Sequence, residues 1–462
     1  MREETLMIRP FEDLQILDYK STQKVNEHAK AEIRGRIPFN RKEDYMKVGR
    51  RQTWVQVVAV SSEEESILFY GVMEQLSLEI KDGTCIVDLS LRSGTQLMDY
   101  EEHVRSFQKQ DLTYSSLLDT CNREYEDAGK IMTEVQGKAI QHFIMQYRET
   151  DWEFIRRLAS MNRTVVFADC SSKGAKYHFG IPNRKEMEVE TSCEYRKQYN
   201  MKEYWYKKNH GLSIQPEDTV SYIWESREIH KLGEKRRVDG RELFIWKLES
   251  CIKGNELYHT YFMKTRSGFQ EPETHNNLIT GVSLSGSLLK VRDEKVQIKI
   301  HSDENKEESG SCWYSFSTVY SSADGTGWYC MPEPGDTVRL YFPTAREQEA
   351  YVASAHHESG AGLRENPERK FWRNKEGKEI QLSPERILLT NNDGTYIELS
   401  DENGIEIISE GSVTVRAGGS LNISTSNSSI DMSASKKIRL RQGDTEMNLG
   451  GDIEMQGAKI VL

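Results

Sequence analysis

Apolar positions change their spacing several times along this chain. Between about Leu6 and Leu91 they fall in short β-branched or aromatic stretches at residues 53–59, 67–71 and 85–91, separated by charged turns. Such runs predict the strands of a barrel or sandwich. Helical spacing predicts helices over 114–125 and 150–162. In the second, Trp152, Ile155, Leu158 and Ala159 share one face, and Thr150 with Glu153 three residues on is a capping-box signature. Strands resume at 165–167, and 238–246 followed by 258–262 reads as β-structure with a tight turn at Asp239-Gly240.

From about Asn277 to His357 period-2 alternation, clearest at 296–300 and 338–342, predicts five or six short strands and hence a small barrel. Glu333-Pro334-Gly335-Asp336 is a turn, since proline presets its own φ and glycine supplies a positive one. A charged stretch, 358–378, reads as a linker.

Beyond it the pattern is new. Apolar pairs at i and i+2 recur as Ile380/Leu382, Ile387/Leu389, Ile397/Leu399, Ile405/Ile407, Val413/Val415, Leu421/Ile423, Ile430/Met432, Ile438/Leu440, Met447/Leu449, Ile453/Met455 and Ile460/Leu462. A repeat of about eight residues, with Gly, Ser, Asn and Asp between the pairs, is a solenoid signal of one strand plus one turn per repeat. Two inward side chains per strand are too few for one chain to close a core. Three copies wound together make a triangular prism without free edges, about 50 Å long at roughly 4.8 Å per strand. A single-chain parallel β-helix is the alternative, and it needs coils of about 20 residues.

Composition narrows the function. The 62 Lys+Arg against 73 Asp+Glu leave a net charge of −11 over 462 residues, so neither nucleic acid nor an anionic membrane is an expected partner. At roughly 150 residues per domain the chain holds about three. Hydrophobic content is 37% and mean hydropathy −0.69, which suits an elongated or inter-subunit fold. The N-terminus carries no apolar signal region, and the most apolar run, 54–60, is too short to span a bilayer. The protein is expected to be made and kept in the cytosol unless a machine exports it. Its 7 cysteines include no Cys-x-x-Cys pair, so reduced, mostly buried thiols are expected.

Candidate chemistry is sparse. Glu149, Asp151 and Glu153 could serve acid–base catalysis, but a helix N-terminus favours negative charge there. His356-His357-Glu358 reads as an exposed strand end. The basic runs Lys207-Lys208 and Lys235-Arg236-Arg237 read as solvated faces, and Met447 and Met455 as trimer core. Trp313 and Trp328 could stack on a sugar or simply fill a barrel. There is no Gly-x-Ser-x-Gly elbow, phosphate loop or His-Glu-x-x-His helix. No catalytic, cofactor-binding or metal-ligating residue is expected, and no enzyme.

Four segments together resemble the fused hub-and-spike family of contractile injection machines: VgrG of type VI secretion and the late control protein D or hub/spike components of phage tails and tailocins. Residues 146–159, with Tyr147-Arg148-Glu149-Thr150-Asp151-Trp152, look like the family's hub helix start. Leu232-Gly233-Glu234 with 238–246 resembles a strand pair of the second hub barrel. Residues 328–342 are similar to the family's OB-fold segment, and the octad-like tail to its spike. The chain lacks the His-x-His iron site of some spike tips, having no histidine after His357, and no appended effector domain is expected after Leu462.

The resemblance implies a mainly β fold with minor α. Its parts are a first hub barrel over 1–110, a helical insertion over 111–162, a second hub barrel over 163–275, an OB-fold barrel over 276–357, a linker over 358–378 and a trimeric intertwined β-helix over 379–462. The trimer core would comprise Ile405, Ile407, Val413, Val415, Leu421, Ile423, Ile430, Met432, Ile438 and Leu440. The implied function is a homotrimeric hub and membrane-puncturing spike that meets inner-tube and baseplate proteins and is driven outward through the target envelope. A PAAR-like cap would sit on Ile460 and Leu462. The alternative is a receptor- or glycan-binding tail protein with a β-solenoid stalk.

Overall fold

The structure, a computed structural model, describes residues 5–49, 51–61, 64–81, 83–187, 194–306, 310–357, 362–456 and 459. The chain divides into two units, Met1–Glu358 and Ser359–Leu462.

In the first unit, eleven strands join in one antiparallel sheet. The path runs Thr5–Arg9, Trp54–Val60, Glu65–Lys81, Thr84–Ser93, Lys30–Ile37, Gln15–Lys24, Arg241–Lys253, Glu256–Thr265, Ser221–Ser226 and Arg196–Gln198, with Lys235–Val238 paired to Arg241–Lys253. The two strand groups expected in hub barrels thus meet where Gln15–Lys24 pairs with Arg241–Lys253, from Lys24 opposite Lys247 to Lys20 opposite Cys251. Each group keeps its own core, one around Tyr19, Val57, Phe69 and Leu89, the other around Phe167, Trp224, Ile245 and Tyr261. Alternation sets the inward side: Cys85, Val87, Leu89 and Leu91 are all buried. At Gly71 a Cβ would stand 2.1 Å from the Arg92 carbonyl oxygen, so the strand pair closes only around glycine. Asp239 and Gly240 take positive φ values of 49° and 76°, forming the tight turn between Lys235–Val238 and Arg241–Lys253.

The region expected as a helical insertion holds helices Tyr114–Asn122 and Asp151–Met161 together with strands Gly129–Met132 and Ile144–Thr150. Trp152, Phe154, Leu158, Leu117 and Tyr177 form their shared core. Thr150 Oγ1 accepts the Glu153 N–H at 3.2 Å, and Glu153 Oε2 accepts the Thr150 N–H at 3.1 Å, which completes the capping box. A further helix, Met201–Asn209, corrects one expectation. Its Lys207 is buried, donating to the Gly268 carbonyl at 2.8 Å and pairing with Glu203 and Glu271 at 3.0 and 3.4 Å. Arg236 is likewise buried, its guanidinium 5.6 Å from the Trp224 ring. Neither basic run is simply a solvated face, because long aliphatic stems pack while carboxylates or an aromatic ring receive the charge.

A closed barrel follows, in the order Ser283–Arg292, Lys295–Ile300, Tyr314–Ser317, Tyr351–His356, Thr337–Tyr341 and back to the first. Tyr314–Ser317 and Tyr351–His356 run parallel, the other pairs antiparallel. In the turn at 333–336 Gly335 has φ 98° and the Asp336 N–H donates to the Glu333 carbonyl at 3.0 Å. Phe143 and Met145, from outside the barrel sequence, complete its core beside Ile298, Leu340 and Phe342.

Buried polar groups then fix the barrel to the helical layer. Arg157 donates to Glu149 at 2.7 and 2.8 Å, to Glu347 at 2.7 Å and to the Met145 carbonyl at 2.8 Å. Asp303 accepts both the amide and the hydroxyl of Ser106. Gln108 Oε1 accepts the N–H groups of Gly310, Ser311 and Cys312 at 2.9, 3.1 and 3.3 Å.

Removing Arg157 would leave two buried carboxylates unpaired. Arg157→Met is therefore expected to lower unfolding free energy by about 3–5 kcal/mol, measured by denaturant unfolding. Arg9→Ala, which removes an exposed pair with Glu65, is expected to cost at most about 1 kcal/mol.

Candidate functional site

Among the described residues of the second unit, strands Lys370–Arg373, Glu379–Ser383, Arg386–Thr390, Tyr396–Ser400 and Gly404–Ile408 form one antiparallel meander. Strand Lys370–Arg373 lies inside the stretch expected as a linker. Its Phe371 and Trp372 make it a strand, and the turn at Gly377, φ 83°, returns it onto Glu379–Ser383.

Register sorts the two faces. Trp372, Ile380, Leu389, Ile397 and Ile407 stand opposite one another in one row, and Leu382, Ile387, Leu399 and Ile405 in a second on the same face. The other face holds Glu379, Gln381, Leu388, Glu398, Tyr396 and Glu406. Its carboxylates are paired within the chain. Glu379 accepts from Arg369 and Arg373 at 2.8 and 3.2 Å, Glu398 from Arg386 at 2.9 Å, and Glu406 from the Tyr396 hydroxyl at 3.1 Å. Burial opposes ionisation of Glu379, but hydrogen bonds and charge from Arg369, with Asn392 and Arg373, hold its carboxyl below the usual range.

Exposure is inverted relative to a folded sheet. Glu379 and Gln381 are each 4% exposed, whereas the isoleucines and leucines of the apolar rows are 39–71% exposed. Contiguous apolar surface of this kind marks an interaction face.

The same register recurs in the antiparallel strands Ile438–Gln442, Thr445–Leu449 and Ile453–Gln456. There Ile438 aligns with Leu449 and Ile453, and Leu440 with Met447 and Met455. Between the two meanders, residues 409–437 carry no strand. Of the expected needle-core residues, Ile405 and Ile407 lie on the open face of the first meander, and Ile438 and Leu440 open the second. Val413, Val415, Leu421, Ile423, Ile430 and Met432 lie outside any strand and are 47–70% exposed. In the single chain these three repeats form no strand. Ile460 and Leu462, the expected cap contacts, fall outside the described residues.

The remaining candidates are placed as follows. Glu149 is paired with Arg157, Glu153 caps its helix, and Asp151 accepts from Arg105, Gln146 and the Tyr125 hydroxyl at 2.6, 3.0 and 2.8 Å. His357 is exposed after strand Tyr351–His356. Arg292 lies over the Trp313 ring at 4.5 Å, and Trp328 is exposed. Cys85, Cys121 and Cys170 are buried, Cys251 and Cys312 are half-buried, Cys330 is exposed, and all six are free thiols. The expected set lacked Trp372, whose aromatic pairing with Phe371 ahead of a turn was the available signal.

No family model and no curated protein matches the sequence. Solved structures do. An Escherichia coli type VI secretion component, described as similar to the T4 bacteriophage tail proteins gp27 and gp5, aligns with 76% of this chain and all of its own, at 11% identity and TM-score 0.55. The half-lidded Francisella PdpA–VgrG complex aligns over 88% of each chain at 9% identity and TM-score 0.58. Its lidless counterpart aligns over 88% of this chain and 98% of its own, at 8% identity and TM-score 0.57. This chain has the fold of the VgrG-like hub and spike proteins.

Proposed function

We propose that this chain is the structural hub and puncturing spike at the tip of a contractile injection apparatus, acting as a homotrimer and without catalysis. The observation that carries the reading is the open apolar face of the C-terminal meander on a chain with the hub-and-spike fold. Three copies facing one another would bury those rows, each isoleucine or leucine contributing about 1.5–3 kcal/mol. They would also offer the unpaired repeats at 413–432 a neighbouring strand from another chain.

The hub supports the reading as well. Two strand groups per chain become six modules in a trimer, which suits a six-fold tube ring. The barrel's order, first-second-third-fifth-fourth, is that of a Greek-key OB type, and its polar clamp to the helical layer suits a part that transmits force. Under this reading the chain meets inner-tube and baseplate proteins, assembles in the cytoplasm and leaves when the sheath contracts. A tip protein seated on the final repeat completes the needle.

In assembly, Ile397→Asp places three carboxylates in the apolar interior and is expected to shift the protein from trimer to monomer on size-exclusion chromatography with light scattering. Glu406→Gln, on the opposite face, is expected to leave the trimer intact. In the native host, deleting the gene is expected to abolish sheath–tube particles visible by electron microscopy, with the full chain restoring them. Normal particles in the deletion strain would contradict the proposed role.

A further inference from the structure

A second, smaller cluster lies in the first unit. Glu101 and His103 are two positions apart on and beside strand Glu102–Phe107, so they share a face. Glu124 follows helix Tyr114–Asn122. One ligand atom from each of Glu101, His103 and Glu124 lies within 4.8 Å of the others.

The histidine sets this group apart from an ordinary acidic patch. Its ring is buried, 5% exposed, and Nε2 has no hydrogen-bond partner. The nearest carboxylate oxygens, Asp151 Oδ2 and Glu124 Oε2, stand 3.5 and 3.9 Å away, too far for a good hydrogen bond. Asp151 Oδ2 already accepts from Tyr125. On the other side of the ring, Nδ1 is 2.9 Å from Glu304 Oε2 and 2.9 Å from Arg105 Nη2. In the tautomer with the proton on Nδ1, that proton is donated to Glu304, Arg105 is not a donor to the ring, and the Nε2 lone pair is available to a metal.

Charge points the same way. Glu124, Asp151 and Glu304 converge on a single guanidinium, Arg105, which lies 2.5 Å from Glu124 Oε1, 2.6 Å from Asp151 Oδ1 and 3.4 Å from Glu304 Oε2, and Glu101 adds a further carboxylate beside His103 and Glu124. Glu124 Oε2 and His103 Nε2 stand 3.9 Å apart, with a Glu101 carboxylate beside the pair. Glu101 and Glu124 also line an open cleft with Arg51, Tyr100, Asp127 and Lys173, so the two carboxylates are reached from solvent.

We infer that Glu101, His103 and Glu124 bind a divalent cation of the zinc class. One imidazole nitrogen and two carboxylate oxygens leave a fourth position for water, a donor set and count that Zn²⁺ accepts. The ion gives Nε2 its missing partner and offsets the excess negative charge. Through Glu304, which also accepts the Val104 N–H at 2.9 Å, it stiffens the contact between the strand and the loop joining the barrel strands Lys295–Ile300 and Tyr314–Ser317.

The test is calorimetric titration of chelator-stripped, full-length protein with zinc chloride, alongside thermal unfolding. One Zn²⁺ per chain and a raised Tm are expected. Glu101→Gln, at an exposed position, should leave the metal-free Tm unchanged and weaken binding by at least about tenfold. His103→Gln should remove the site. Absence of a saturable site at one ion per chain overturns the inference, as does unchanged binding in Glu101→Gln, which would place the ion elsewhere among the 11 histidines.

Discussion

An eight-residue repeat supplies two apolar side chains per strand on one face and polar turns between strands, and everything in the C-terminal unit follows from that geometry. A one-layer sheet has two faces and can bury neither alone. Here the carboxylates of the polar face are paired within the chain, Glu379 with Arg369 and Arg373 and Glu398 with Arg386. The apolar rows from Ile380 to Ile407 are 39–71% exposed. Added repeats lengthen the open face without closing it, and the proposed trimer would bury it against other copies of the chain.

The first unit solves the opposite problem. Its sheets and helices bury their apolar faces internally, and the barrel even borrows Phe143 and Met145 to finish its core. Polar groups then fix orientation. Arg157 spans Glu149 and Glu347, and Gln108 collects three successive amides, so the barrel cannot rotate without stranding buried charges and donors. Apolar contact alone would permit sliding, whereas directional bonds at known distances do not.

Much of this was legible in the sequence. Alternation at 85–91, the Thr150–Glu153 cap, the Asp239-Gly240 turn and the barrel after 277 are local signals, and local geometry realises them. The apolar pairs also predicted which side chains share a face. Other features depend on residues far apart in the chain. His103 meets Glu304, Arg157 meets Glu347, and Lys207 meets Gly268, so burial of these charges has no local signature. Helix Met201–Asn209 escaped notice because Tyr204, Trp205, Lys207 and Lys208 make no simple apolar stripe. The strandless stretch 409–437 went unforeseen for a different reason: its alternation matches its neighbours, and only the absence of a same-chain strand beside it distinguishes it.

The central claim, that the open face is closed by copies of the same chain, is tested most directly by sedimentation equilibrium of the full-length protein at micromolar concentration. A single species at three times the 53.4 kDa chain mass is the predicted result. A stable monomer at that mass, with no concentration dependence, would contradict the account.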